Sequence, residues 1–358
     1  MFKKISINQR TLQEYIRYEH EIALDTIETL MKENIPLIIE SVDTIGYHHL
    51  HHIIKFHQRT IINFLYFKEK KLILEYLHWL YRVYYHRDVD IDFFKLFFEI
   101  KLSITKKYLD TNSYLQIEKI YKQIISNHHL LKKESSIEKV ILDNKQKVEN
   151  LAKLLIAGKK SEVFEVFKSE CPDIGGFCKF YQNTFAPAMK KVGWLWETNT
   201  ISVAKEHLAS SVANDIIFNI LEKLEIKEQT NQTILLSTAP DETHGLGNKI
   251  ISKVLEKSGC TVINLGSSLP SADILKAIDE FIPDIIIFSA TLPTSLYDIA
   301  TILKELNENK YEKSYKVIIG GNAFENILHP SKSVGADIYC RSIKDVINFI
   351  NEDNKLLS

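Results

Sequence analysis

The first part of the chain carries apolar residues at three- and four-residue spacing and almost no glycine. This spacing is typical of amphipathic helices. We predict an all-helical domain over residues 1–135, in which Asp88 and Asp90 cap the last long helix. The pattern is clearest in TLQEYIRYEHEIALDTIETLMKEN, YHHLHHIIKFHQRTIINFLYF, KKLILEYLHWLYRVYYH and DIDFFKLFFEIKLSITKKYL.

A polar break, KKESS, precedes a second helical segment, which we assign to residues 136–226. After a further break, EIKEQTNQ, the pattern changes to short β-rich runs separated by helical stretches at 245–258, 271–281 and 295–308. Alternating strands and helices predict a doubly wound, flavodoxin-like parallel sheet over residues 232–358. The β-rich runs are TILLSTA, CTVINLG, DIIIFSA, YKVIIGG and ADIYC.

Composition narrows the class of protein only slightly. The 358 residues have a formal net charge of −1, so the chain has no general attraction to nucleic acid or anionic membranes. Its basic start leads into polar residues, and no apolar run approaches the roughly 18 residues that a membrane span needs. The four cysteines form no C-x-x-C pair. We therefore expect a reduced, cytoplasmic protein.

Residues suited to ligand binding follow three of the predicted strands, at what should be one rim of the sheet. A histidine on a loop can bind a metal through one ring nitrogen while a carboxylate holds the other, and glycines allow a bulky ligand to approach the backbone. The residues are Glu242, His244 and Gly247 after the first strand, Ser289 and Thr291 after the third, and Gly320 and Gly321 after the fourth.

This E-x-H-x-x-G, S-x-T and G-G series resembles the cobalamin-binding domain of methionine synthase, the cobalamin mutases and corrinoid carriers. In that family the histidine displaces the dimethylbenzimidazole base and becomes the lower cobalt ligand. The resemblance implies that His244 binds cobalt and that Glu242, where an aspartate is commoner, holds its other nitrogen. The remaining cofactor-binding positions are Thr243, Gly247, Ser289, Thr291, Gly320 and Gly321. The alternative is a response-regulator-like domain with an accidental histidine.

Domains of this family carry a helical bundle in front of the sheet, which implies a four-helix-bundle cap over residues 136–226. Within it, VGWLWETNTISVAKEHLAS resembles the adenosylcobalamin-dependent photoreceptors of the CarH type, whose mark is W-x9-E-H. The resemblance implies that Trp196, Glu206 and His207 lie near an adenosyl group released by light. The alternative is an ordinary amphipathic helix with a solvated edge. Glu197 departs from the family, whose histidine at this place ligates cobalt after photolysis.

The first 135 residues show no winged helix-turn-helix, so we expect no direct DNA binding. They are expected to contact a protein partner or a second protomer. His48 and His52 share a helix face and could bind a transition metal, although dispersed surface histidines are the simpler interpretation. The segment also resembles the helices ahead of some DNA-binding-free cobalamin photosensors, among them bilin-binding photocobilins. The bilin candidates, otherwise core residues, are His78, Trp79, Tyr81 and Arg82.

We therefore predict a cobalamin-binding sensory protein, not an enzyme in its own right. It would be an adenosylcobalamin-dependent light sensor that signals through its helical domain or its oligomeric state. The alternative is a corrinoid carrier that presents methylcobalamin to methyltransferase partners. A cobalamin-responsive interaction protein without photochemistry is a further hypothesis.

Overall fold

A computed structural model describes residues 7–135, 146–230, 232–308 and 315–357. The chain divides into two compact units. The first comprises Met1–Val140 with Glu197–Asn199, and the second comprises Ile141–Trp196 with Thr200–Ser358.

The regular secondary structure of the first unit is all helical in the residues that the structure describes. Its first predicted helix is broken at Tyr18, so that two helices replace one. Asn8 begins the earlier helix by accepting a hydrogen bond from the backbone N–H of Thr11 (2.8 Å). The helices are α1 Gln9–Arg17, α2 Glu19–Lys32, α3 Pro36–Ile45, α4 Tyr47–Phe67, α5 Lys70–Tyr85, α6 Asp92–Tyr108, α7 Thr111–Ser126 and α8 His128–Ser135.

The predicted capping of α6 is wrong at both positions, because the N-cap is Ile91, which makes no side-chain cap hydrogen bond. Asp90 accepts a hydrogen bond from the backbone N–H of Asp92 (3.0 Å), at the first residue of the helix. Asp88 instead adopts a left-handed conformation with φ of 59° in the preceding turn, so it cannot occupy the extended N-cap position. From α6, the side chains of four phenylalanines enter the core of this unit: Phe93, Phe94, Phe97 and Phe98.

The second unit begins with a helical bundle. A π-helical segment, Tyr181–Phe185, lies between two helices of the bundle. Leu151, Phe167, Phe177, Ala213 and Ile217 form part of its core, which continues onto Ile250, Val254 and Ile343 of the α/β part. The helices are α9 Gln146–Ile156, α10 Lys160–Glu170, α11 Ile174–Phe180, α12 Ala186–Glu197 and α13 Val203–Lys223.

A parallel five-stranded sheet in the order β2-β1-β3-β4-β5 completes the second unit. This order confirms the doubly wound, flavodoxin-like prediction, and every predicted β-rich run contains its strand. The strands are β1 Thr233–Thr238, β2 Thr261–Gly266, β3 Ile285–Ser289, β4 Lys316–Gly320 and β5 Ile338–Cys340. The helices are α14 Leu246–Lys257, α15 Ser271–Phe281, α16 Leu296–Glu308, α17 Pro330–Val334 and α18 Ile343–Leu357.

The sheet gains its stability from isoleucine-rich central strands. Ile234, Ile285, Ile286 and Ile318 are fully buried, as expected for strands covered on both faces. β1 lies between β2 and β3, so the chain reverses its direction of winding at this point. Ligands of doubly wound sheets bind at the carboxyl ends of the strands around such a reversal.

None of the helices in the described residues is both long enough and apolar enough to span a membrane.

Candidate functional site

The ends of three neighbouring strands meet in register. Thr238 of β1 pairs with Ser289 of β3, and Ser289 pairs with Gly320 of β4. Past these residues the backbone bonds continue, with Ala239 N–H donating to Ser289 O (2.8 Å) and Ala290 N–H donating to Gly320 O (3.0 Å). The loops that carry the three sequence features therefore begin side by side.

The carboxylate of Glu242 joins two of these loops. Its residue is 2% exposed. One oxygen, Oε1, accepts from the backbone N–H of His244 (3.0 Å) and from Nδ1 of the same residue. The other oxygen, Oε2, accepts from the backbone N–H groups of Thr291 (3.2 Å) and Leu292 (3.0 Å). A buried carboxylate is thus fully satisfied, and it fixes the loop after β1 to the loop after β3.

The loop after β2 is held to the same segment. The backbone carbonyl of Glu242 accepts from Ser268 N–H (3.0 Å), and Asp241 N–H donates to Leu269 O (3.4 Å). Asp241 and Ser268 both have φ near 60°, so each loop turns sharply at the contact. Three loops are therefore locked together around Glu242.

The hydrogen bond between the two side chains changes both pKa values. Burial acts to raise the pKa of Glu242, but hydrogen bonds from the His244 side chain and from backbone N–H groups outweigh it, and the pKa is lowered. The hydrogen bond to Glu242 raises the pKa of His244 against the opposing effect of burial. With Nδ1 donating to the carboxylate, Nε2 is the nitrogen that His244 can offer to a metal.

The His244 side chain is 51% exposed, whereas Glu242 beneath it is buried. An imidazole that is oriented by a buried acid and reaches the surface of a strand rim is well suited to bind a metal in a bulky ligand. Thr243 beside it is exposed.

The three candidate glycines differ in what surrounds them. A Cβ on Gly321, which has φ of 102°, would lie 2.2 Å from Ala290 O, and one on Gly320 would lie 3.1 Å from Cys340 O. A Cβ on Gly247 would meet nothing within 4 Å. Gly321 is therefore required by the fold itself. Gly247 instead lies in the first turn of α14 beside open space.

The bundle contributes Glu206 and His207, on the first turns of α13. Glu206 accepts from Ser210 Oγ (2.8 Å) and bonds to His207 Nδ1 (2.8 Å). Its charge also acts to raise the pKa of His244, so Glu206 acts electrostatically on the candidate metal ligand. The His207 side chain is 75% exposed. Trp196 at the end of α12 packs half-buried against the bundle core.

Glu197 is engaged by arginines of the first unit, to which it belongs. Its Oε2 accepts from Nη2 (2.7 Å) and Nε (3.0 Å) of Arg82, and its carbonyl accepts from Arg87 (3.1 Å). Glu197 is therefore part of an arginine-carboxylate pair.

The other bilin candidates also have protein partners. Tyr81 Oη bonds to His128 Nδ1 (2.8 Å), Trp79 stacks on Phe56 with ring centroids 5.4 Å apart, and His78 pairs with a glutamate of α8. These contacts are those of a packed core, and they give the bilin hypothesis no support.

The histidine pair of α4 is close enough to chelate a metal, since Nε2 of His48 lies 3.1 Å from Nε2 of His52. The parts of the chain that the structure describes contain no cluster of three or more histidine, cysteine, aspartate or glutamate side chains arranged to hold a metal ion. The pair remains exposed on the helix surface.

Two features of the site escape sequence reasoning. The backbone N–H of Leu292 binds Glu242 but carries no side-chain signal. Asn248, next to Gly247, donates to Asn264 Oδ1 (3.1 Å), while its own Oδ1 is buried without a partner among the described residues. An orphaned buried acceptor beside an open glycine is a signal that only coordinates provide.

Family models match both parts of the second unit. Residues 232–342 and residues 148–220 each match a model described as a B12 binding domain. The chain therefore contains cobalamin-binding domains, and it binds cobalamin. Residues 7–135 lie outside both matches.

Similar proteins include trimethylamine corrinoid protein 1 of Methanosarcina mazei, which is 26% identical over 167 residues, 46% of this chain and 76% of the relative. The HTH-type transcriptional repressor CarH of Myxococcus xanthus is 27% identical over 145 residues, 40% of this chain and 48% of the relative. The monomethylamine corrinoid protein structure from Methanosarcina barkeri is 17% identical, with a TM-score of 0.49 over 58% of this chain and 99% of that one.

Replacing Glu242 by glutamine should destabilise the site. Each carboxylate oxygen accepts from N–H groups, so the amide NH2 must face a donor and leave buried groups unsatisfied. We expect a loss of about 1–3 kcal/mol in the free energy of unfolding. Urea unfolding measures it, and hydrogen exchange should be faster at Thr291 and Leu292. Glu280→Gln, at an exposed position, is the matched control, and equal behaviour of the two variants would contradict the linking role of Glu242.

Proposed function

We propose that the protein is a corrinoid carrier, which holds a cobalamin through His244 and presents it to a partner protein. The observation that carries the proposal is the pair formed by buried Glu242 and half-exposed His244 at the rim of the sheet. One of the similar proteins is named trimethylamine corrinoid protein 1. The similarity to corrinoid proteins supports the role of a carrier over that of a sensor.

The residues present fit a corrinoid. His244 offers Nε2 while Glu242 fixes its ring, which is the arrangement expected of a metal-binding histidine. Gly247 leaves open space where a side chain would project, and Asn248 Oδ1 is an unused acceptor next to it. When bound, a corrinoid supplies a cobalt atom that can carry an alkyl group. The chain's own contribution is to bind, orient and cover the cofactor.

Each site residue has a distinct part in this proposal. Glu242 keeps the ring proton on Nδ1, so that Nε2 keeps its lone pair. Ser289 and Thr291 would line the slot for the cofactor tail, while Gly320 and Gly321 would keep its neighbouring loop compact. Trp196, Glu206 and His207 would cover the cofactor from the bundle.

Replacing His244 by alanine should remove the lower ligand. We expect the affinity for cobalamin to fall at least tenfold, which corresponds to about 1.4 kcal/mol. The absorption spectrum of the remaining complex should change, because water or the cofactor's own base must take the vacant position. His129→Ala, an exposed histidine of the first unit, is the control. An unchanged spectrum and affinity in the His244 variant would rule out this ligand.

Adding a methyl group at Gly247 should separate cofactor binding from folding. A Cβ there meets nothing within 4 Å, so Gly247→Ala should leave stability unchanged or raise it by up to about 1 kcal/mol. Its affinity for cobalamin should nevertheless fall at least tenfold if the tail lies against α14. Gly321→Ala should behave in the opposite way and lower the unfolding midpoint, because its Cβ overlaps Ala290 O. Normal affinity of Gly247→Ala would exclude this path for the tail.

A light sensor is the second candidate. Glu206 acts on the pKa of His244 from the bundle side, which supports a position of α13, with Glu206 and His207 of the Trp196-x9-Glu206-His207 pattern, close to the candidate site. The similarity to CarH covers 40% of the chain and supports the same hypothesis. In this case adenosylcobalamin is the cofactor form, and the output is a change in shape, oligomeric state or partner binding.

Illumination distinguishes the two candidates. Protein loaded with adenosylcobalamin should, as a sensor, change its elution volume or its hydrogen exchange in α12 and α13 after green light. Trp196→Ala should keep dark-state binding within about threefold but weaken that change, because it alters only the covering side. A carrier should bind methylcobalamin as well as adenosylcobalamin and show no conformational response to light. The dark sample and a sample loaded with hydroxocobalamin are the controls.

A further inference from the structure

Three buried polar atoms in the first unit have no hydrogen-bond partner among the described residues. They are Nδ1 of His57, Oη of Tyr76 and Nζ of Lys101. The residues are 0%, 5% and 0% exposed, so water outside the protein cannot satisfy them. Leaving three such groups unsatisfied in one interior is costly, since buried polar groups in native proteins are nearly always bonded.

The three groups lie in the same part of the core, since Lys101 follows Phe97 and Phe98 by one helical turn and both phenylalanines contact His57. The His57 ring lies 5.5 Å from the Tyr76 ring, centroid to centroid, and is enclosed by Phe97 and Phe98 at 5.7 and 5.2 Å. The charge of Lys101 is close enough to lower the pKa of His57, after the larger effect of burial. An imidazole, a phenol and an ammonium thus share an aromatic interior.

All three groups can act as donors. Nε2 of His57 lies 2.8 Å from Tyr121 Oη, and when that hydroxyl donates, the ring proton stays on Nδ1. In its charged form Lys101 has only donors, and the Tyr76 hydroxyl has no acceptor among the described residues. Three buried donors in one part of the core, one of them a cation, call for an acceptor that carries negative charge.

Within the described residues, no side chain supplies that charge through an ion pair to Lys101. Glu19 acts on Lys101 only through space, and its own carboxylate is partly exposed and pairs with Arg59 (3.7 Å). Burial lowers the pKa of Lys101 to about 7, so an uncompensated ammonium is only half-populated near neutral pH. A bound anion would restore the charged form and satisfy all three groups together.

We propose that the first unit binds a compact monoanionic group, either a halide ion or the carboxylate of an organic acid, between Lys101, His57 and Tyr76. This site is independent of the cobalamin site, and it gives the helical domain a ligand of its own. The aromatic walls suit either a weakly hydrated ion or an acid with an apolar chain.

Hydrogen exchange on the full-length chain tests the proposal in the helices concerned. Sodium bromide, sodium acetate and sodium octanoate are titrated at constant ionic strength against sodium sulfate. At an anion concentration one hundred times its Kd, exchange through opening of α4 and α6 should slow about hundredfold. Protection by bromide identifies an inorganic ion. Protection of the same amides by octanoate, at concentrations far below those at which acetate protects them, identifies an organic acid as the ligand.

Variants make the test specific. Lys101→Met removes the cation with little change in volume, and it should abolish the protection while keeping the fold, because an apolar side chain replaces a buried charge. Lys95→Met, at an exposed position of the same helix, should respond like the wild type. Tyr76→Phe should reduce the slowing of hydrogen exchange by the anion about tenfold. Equal anion responses in the wild type and Lys101→Met, or no anion-specific response in either, would overturn the proposal.

Discussion

The site depends on one buried carboxylate, that of Glu242. Removing a carboxylate from water is unfavourable unless its lone pairs are used, and here they accept from one imidazole and three backbone N–H groups. Because these donors come from two loops, the same contacts that stabilise the charge also set the distance between the loops. His244 is consequently oriented by the fold itself, before any ligand binds.

Much of this arrangement was accessible from the sequence. The isoleucine-rich runs predicted all five strands, and parallel strands necessarily bring their carboxyl ends to one rim. Glu242 and His244, two residues apart on a loop, were recognisable as a pair. The hydrogen bonds from Thr291 and Leu292 could not be recognised, because their donors are backbone N–H groups, which the residue type does not mark. The break at Tyr18 and the turn at Asp88 were also missed, since helical periodicity continues through the first and aspartate often caps helices.

The glycines show why a motif alone does not separate folding from binding. Gly247 and Gly321 both belong to the same sequence pattern, yet the neighbours of a Cβ differ completely: a carbonyl oxygen at 2.2 Å for one, and open space for the other. A pattern records that a side chain is excluded without recording what excludes it. The coordinates show that Gly321 is needed because a side chain there would overlap a neighbouring loop. At Gly247 they show open space, which a bound ligand can occupy.

In both proposed functions His244 would hold the cobalt, so the distinction between a carrier and a sensor must lie in the residues of α12 and α13 and in the first unit. Glu197 constrains the sensor hypothesis in particular. Two hydrogen bonds from Arg82 hold its carboxylate, and a third from Arg87 holds its carbonyl. For Glu197 to become a metal ligand it would have to leave a charge-assisted pair and abandon the arginine in a partly buried position. If light acts on this protein, its product state therefore needs a cobalt ligand other than residue 197, and the response differs chemically from one that captures a histidine there.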